Sequence, residues 1–236
     1  MSAGGLYLVP TALGEGSVSA VMPIGVRARV HAIRYFIVEE PKRARAFLKT
    51  IQHPQPIAAL RIEPFGTEPR ALDRLLRPVL EGSDAGLLSD AGAPAIADPG
   101  ALLVRHAHAH GVRVIPLVGP SAILLALMAS GLEGQRFAFH GYLPIGAPEL
   151  AGRLKAIEAD SRRERRTEIF IETPYRNDRL LRAIVQACAP DTLLCVAADL
   201  TLSEEQVEMR PISEWRRALP TLGKRPAVFL LLATPE

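Results

Sequence analysis

The sequence predicts an α/β protein, with a mainly parallel sheet in its N-terminal part and a mixed sheet in its C-terminal part. Three observations predict it. Short, fully apolar runs alternate with helix-length segments, as buried parallel strands and their crossover helices do. Twenty prolines and eighteen glycines break the chain into short elements joined by turns. Beyond residue 141 strand-like runs outnumber helices, which a purely parallel sheet does not allow.

The elements follow in order. Residues 5–9 form a short apolar strand, followed by a loop rich in turn residues. Residues 35–38 form a second strand, and a basic helix runs from about Pro41 to Ile51. Leu72, Leu75, Leu76, Val79 and Leu80 recur at helical spacing over 69–80. A brief strand at 86–88 leads into a long loop, and residues 99–110 read as a helix stopped by Gly111. A strand at 112–117, a helix at 121–130 ended by Gly131, and a strand at 136–140 complete a first domain, residues 1–141. In the second domain, 142–236, a charged helix over 148–163 precedes a strand at 168–171, a helix at 176–187 and a strand at 192–197. Residues 206–211 alternate as a strand does, and 227–232 form a last, wholly apolar strand.

Composition narrows the function classes. A chain of 236 residues, 48% hydrophobic and 22% charged, buries a core without staples and is not disordered. Its two cysteines, Cys188 and Cys195, exclude a disulfide framework and a cysteine zinc cluster, and fit a reducing compartment. Net charge is +3, carried by the first part: fourteen basic against eleven acidic residues up to residue 143, fourteen of each beyond it. No basic region precedes an apolar stretch at the N-terminus, so no signal peptide is read. No charged residue lies between Arg113 and Glu133, but Gly119-Pro120-Ser121 cuts that stretch into a strand and a helix, and no membrane span is expected.

Ligands of open α/β sheets bind at the carboxyl ends of the strands. Four loops there stand out. Pro10-Thr11-Ala12-Leu13-Gly14-Glu15-Gly16 lacks the spacing of a dinucleotide or Walker loop. Residues 89–100 are mostly small, which lets a ligand lie against the main chain; Asp90 follows a strand directly, and Asp98 before Pro99 reads as a helix cap. Val118-Gly119-Pro120-Ser121-Ala122 leads into a helix N-terminus, whose free N–H groups suit an anion. Glu172-Thr173-Pro174-Tyr175-Arg176 follows a strand of the second domain.

Together these segments resemble the small-subunit ribosomal RNA 2′-O-methyltransferase I family of the tetrapyrrole methylase superfamily. The run Leu87-Leu88-Ser89-Asp90-Ala91-Gly92-Ala93-Pro94-Ala95-Ile96-Ala97-Asp98-Pro99-Gly100 is similar to that family's signature. Residues 6–11 resemble its opening strand and loop, and Glu39-Glu40-Pro41-Lys42 its acidic-acidic-x-basic motif. Residues 116–122, 130–132, 139–144 and 172–176 match in order. Pro41 and Lys42 stand where the family usually has threonine and arginine, and the family's extra C-terminal helical segment is not in this sequence, which reads as a short branch of the group.

The resemblance implies a two-domain tetrapyrrole methylase-like fold, a cytoplasmic homodimer, and S-adenosylmethionine held in a cleft between the domains. It implies Pro10 on the cleft floor, main-chain contacts from Ser89, Asp90, Ala91, Gly92 and Ala95, and contacts from Ser121 and Ala122. It implies closure over the adenosine by Glu172, Ala198 and Ala227. Such an enzyme aligns acceptor, methyl carbon and sulfur, and a base helps because a sugar hydroxyl is a poor nucleophile; Glu39, Glu40 and Asp90 are the candidate carboxylates. The expected acceptor is ribosomal RNA of the small ribosomal subunit, with Arg162, Arg163, Arg165 and Arg166 as a phosphate-gripping cluster. Two alternatives stay open: a small tetrapyrrole-like acceptor, and a donor-binding protein without turnover. His106 and His110 share a helix face at i, i+4, but no carboxylate neighbours them in sequence, so they read as histidines favoured by the helix C-terminus and no metal site is expected.

Overall fold

A computed structural model of the chain describes residues 3–15 and 18–234; Gly16 of the first loop lies outside them. The chain divides into two compact units, Met1–Ser121 and Ala122–Glu236.

The first unit holds a five-stranded parallel sheet in the order β3-β2-β4-β1-β5. Its strands are β1 (Gly5–Val9), β2 (Tyr35–Val38), β3 (Arg61–Pro64), β4 (Ala85–Leu88) and β5 (Arg113–Pro116). Burial explains the order. β2 and β4 are buried at every position, so they are central, whereas β3 and β5 expose a basic first residue and a terminal proline. A proline cannot donate to a ladder and is tolerated at such edges. Helices α2 (Ile24–Ala32) and α3 (Pro41–Thr50) cover one face, packing Val30, Ala44 and Leu48 on Phe36, Val38 and Leu88. Helices α4 (Pro69–Leu80) and α5 (Ala101–Ala109) cover the other, packing Leu75, Leu76 and Leu103 on Tyr35, Ile37 and Leu87. Residues 35–38 thus serve the two faces alternately, as the pleat requires. A four-residue helix, α1 (Val18–Val21), precedes α2.

The second unit opens with α6 (Ala122–Ser130) and builds a mixed sheet, β6-β7-β10-β8-β9. Its strands are β6 (Phe137–Tyr142), β7 (Thr167–Ile171), β8 (Leu193–Ala198), β9 (Gln206–Pro211) and β10 (Ala227–Leu232). Only β6 and β7 run parallel; β7–β10, β10–β8 and β8–β9 are antiparallel. The core joins Phe170, Phe229 and Val196 to α7 (Ala147–Glu164), α8 (Asn177–Ala187) and α9 (Ile212–Arg217), with Trp215 buried and donating from its indole to the Leu194 carbonyl at 3.0 Å.

The structure moves the expected boundary from 141/142 to 121/122. The physical reason is strand pairing: β6 bonds to β7, and α6 packs against β8, β9 and β10. α1, α2, β3 and α9 carry too little apolar periodicity to be read from sequence; α2 buries Val30 alone. Asp98 is not the cap of α5, because the loop runs on to Gly100, which holds the cap position at φ 138°, a conformation suited to glycine. Among the described residues no helix is long and apolar enough to cross a membrane.

Candidate functional site

The strand order turns three separate stretches of the first unit into one surface. β1 lies between β4 and β5, so the loops leaving all three strands emerge side by side. The chain leaving β1 crosses to β2, and the chain leaving β4 crosses the other way to β5, the topological reversal at which open sheets form a crevice.

The loops are stitched together. The Thr11 N–H donates to the Gly92 carbonyl at 2.9 Å and the Gly92 N–H to the Thr11 carbonyl at 3.2 Å. The Thr11 hydroxyl donates to the Ser89 carbonyl at 3.3 Å. Gly119 sits so close to the ring of Pro10 that a Cβ there would lie 2.4 Å from the proline Cβ. A Cβ on Gly92, whose φ is +76°, would meet Leu13 at 3.1 Å. Ala95 and Ala97 hold φ values of 66° and 63°. Left-handed backbone at a residue with a Cβ costs about 1–2 kcal/mol, so the rest of the loop holds these alanines in place. Pro10 and Ala95 also line an open apolar hollow of about 470 Å³, with Leu8, Val104, Pro116 and Leu117.

The carboxylates differ in their engagements. Glu40 is spent locally: it is the N-cap of α3, accepting from the Lys42 N–H at 3.0 Å, with Pro41 as the first helical residue. Glu39 reaches across the sheet to accept from the Asp90 N–H at 3.2 Å. Asp90 forms an ion pair with Arg43 at 3.4 Å, side chains 26% and 67% exposed, a contact weakened by solvent. Asp98, which the sequence offers only as a helix cap, lies near Glu39, Ser89 and Asp90. Burial, with Glu39 and then Asp90 nearby, pushes its carboxyl up from 3.8 to about 6, against the hydrogen bond from Ser89. A carboxylate eight residues from Asp90 gave no local sign of returning to it.

The expected residues of the second unit occupy defined places. Ala198 and Ala227 are direct partners across β8 and β10, both buried. Glu172 accepts from the Thr173 N–H at 2.6 Å and from Arg176 at 2.5 Å, with only 7% of its side chain exposed. Ala122 is the first residue of α6, and Ser121 closes the first unit. In the arginine cluster, Arg163 is paired with Asp160 and Glu164, Arg162 donates to the Thr234 carbonyl, and Arg166 holds the fully buried Glu168 at 2.8 Å. Glu168 also receives the Nε2–H of His140 at 2.5 Å. Both cysteines are buried and free.

The histidines have a carboxylate neighbour that sequence spacing does not show: Asp73 of α4 brings Oδ1 to 2.9 Å from His106 Nε2, although 33 residues separate the two in sequence.

Comparison with known proteins agrees with this geometry. Residues 30–215 match the family described as Tetrapyrrole (Corrin/Porphyrin) Methylases. "Ribosomal RNA small subunit methyltransferase I" of Escherichia coli O157:H7 is 34% identical over 213 residues, covering 90% of this chain and 71% of the relative. Among solved structures, the methyltransferase CobJ superposes with a TM-score of 0.64 at 20% identity, covering 98% of this chain and 95% of that one. Uroporphyrin-III C-methyl transferase from Thermus thermophilus, solved with S-adenyl homocysteine, superposes at 0.57 and 16% identity, covering 97% of each chain. The carboxylate-bearing loop surface, the parallel-then-mixed sheets and these matches agree: the chain belongs to the tetrapyrrole methylase family of methyltransferases, in the group of the ribosomal RNA small subunit methyltransferase I proteins.

Proposed function

We propose that this protein transfers the methyl group of S-adenosylmethionine to a ribose 2′-hydroxyl of small-subunit ribosomal RNA, in the cytoplasm. The observation that supports it most is the 34% identity to the Escherichia coli relative of that name across nine-tenths of the chain. The first-unit loops suit the donor. Alanine and glycine at 91, 92 and 95 leave room for close main-chain approach, and Glu39, Asp90 and Asp98 gather negative charge for a cationic ligand. The resemblance assigns Pro10, Ser89, Ser121, Ala122, Glu172, Ala198 and Ala227 to the same donor.

When bound, the donor supplies a methyl carbon on a sulfonium sulfur that leaves with its electron pair as the carbon–oxygen bond forms. The chain's task is orientation, which can contribute roughly 7–11 kcal/mol, and removal of the hydroxyl proton. Asp98 joins Glu39 and Asp90 as a candidate for that proton: a carboxyl titrating near 6 is charged at neutral pH and more basic than an ordinary aspartate. Glu40 is a weaker candidate because capping α3 occupies it.

For RNA, Arg162, Arg163 and Arg165 are the cations to test, since removing Arg166 would strand the buried Glu168. Their joint neutralisation flattens the salt dependence of RNA binding and leaves donor binding unchanged. A homodimer is part of the proposal. Leu124 and Met128 of α6 are 50% and 80% exposed, apolar surface of the kind a second copy covers, and light scattering at twice the chain mass is expected.

The deciding experiment offers tritiated S-adenosylmethionine to the purified protein with hypomethylated small ribosomal subunits, naked RNA and tetrapyrroles. Label in a ribose of the small-subunit RNA is the expected result. Label in tetrapyrrole alone overturns the acceptor, and heat of donor binding without label anywhere overturns turnover.

A further inference from the structure

We propose that Asp73, His106 and His110 form a binding site for a divalent late first-row metal ion where α4 lies beside α5. The three residues place one ligand atom each within 4.8 Å of one another. His106 and His110 stand one turn apart on α5 and its cap, their rings 4.4 Å between centroids. Asp73 comes from α4, which packs against α5.

The details fit a ligand set better than a plain ion pair. His106 Nε2 lies 2.9 Å from Asp73 Oδ1, yet that nitrogen is buried and makes no hydrogen bond. Two atoms 2.9 Å apart, each about 2.0–2.1 Å from a shared ion, subtend about 90° at it. Nitrogen and oxygen are thus spaced as neighbouring ligands of one cation. The second histidine is prepared as ligating histidines generally are. His110 Nδ1 is 2.9 Å from the His106 carbonyl, a bond that a ring nitrogen makes only as donor, so neutral His110 keeps its lone pair on Nε2. Two imidazoles and one carboxylate leave further positions to water, and this donor set selects zinc or nickel over magnesium or calcium. The site is separate from the loop surface described above: none of its residues belongs to the 10–16, 89–100 or 118–122 loops. The ion would tie α4 to α5 and so raise the stability of the first unit.

Titration calorimetry of untagged, metal-free protein with Zn²⁺ alone, and separately with Ni²⁺ alone, tests the site. One equivalent binding at about 10 μM or tighter is expected. His110→Ala and Asp73→Asn each weaken binding at least tenfold, while His108→Ala leaves it unchanged. The exposed positions of His110 and Asp73 make both variants safe for folding, and circular dichroism checks that they are folded. Zn²⁺ also raises the melting temperature of the unaltered protein and not that of His110→Ala. Absence of binding at about 100 μM ion overturns the proposal. Binding that survives both ligand substitutions, or that is lost in His108→Ala, overturns it equally.

Discussion

Replacing Asp98 by Asn separates stability from catalysis at one carboxyl. Burial and the nearby Glu39 and Asp90 raise the folded-state titration from 3.8 to about 6. The charged form is therefore disfavoured in the folded chain. Below pH 3.8 both folded and unfolded chains carry the proton and the site is neutral in its effect. Between 3.8 and about 6 the unfolded chain releases the proton first, so stability falls as pH rises, and above about 6 the loss is complete. A shift of about two units corresponds to about 3 kcal/mol. The side chain is only partly buried and solvent screens it, so about 1–2 kcal/mol is expected. Asp98→Asn keeps the shape and removes the charge. Urea unfolding should show it more stable by about 1–2 kcal/mol at pH 7.5 and by no more than about a few tenths of a kcal/mol near pH 4. Methyl transfer should drop about 100-fold or more in kcat with little change in donor affinity, the signature of a lost base. Equal destabilisation at both pH values would refute the electrostatic argument, and full activity at pH 7.5 would remove Asp98 from proton transfer.

Three further outcomes follow from particular contacts. Gly119→Ala places a Cβ 2.4 Å from that of Pro10, whose ring has no flexible end to move, so denaturation should show a loss of about 1–3 kcal/mol and calorimetry a weaker donor complex. Glu40→Ala removes the cap of α3 and should lower stability by about 1 kcal/mol while methyl transfer per folded molecule stays the same; a large fall in kcat would return Glu40 to the chemistry. Burial pushes the Cys188 and Cys195 thiols up to about 12, so neither should react with a thiol reagent at pH 8 until the chain is unfolded, and rapid labelling of the native protein would contradict their packing.

Much of this protein is determined locally and is legible in its sequence. The apolar runs at 35–38, 85–88 and 227–232 are buried strands because every side chain there prefers to leave water, whatever their neighbours are. Pro41 fixes its φ by its ring, and the glycines at 92 and 100 permit, by lacking a Cβ, the positive φ their loop adopts. The loops at 10–16, 89–100 and 118–122 are legible as turn-rich breaks after strands. The tertiary structure alone decided what those pieces do to one another. Strand order is set by pairing between distant segments, and it carried β6 and α6 into the second unit although they follow the first unit's elements in sequence. Asp98 reads as a cap because Glu39, whose charge raises its titration, comes near it only at the end of the folded sheet, and Ser89 only because their shared loop folds back. His106 and His110 read as isolated because Asp73 meets them only when α4 packs on α5. Periodicity and backbone preference act over a few residues and survive in the linear sequence, whereas desolvation, charge coupling and shared ligation depend on distances that only the folded chain sets.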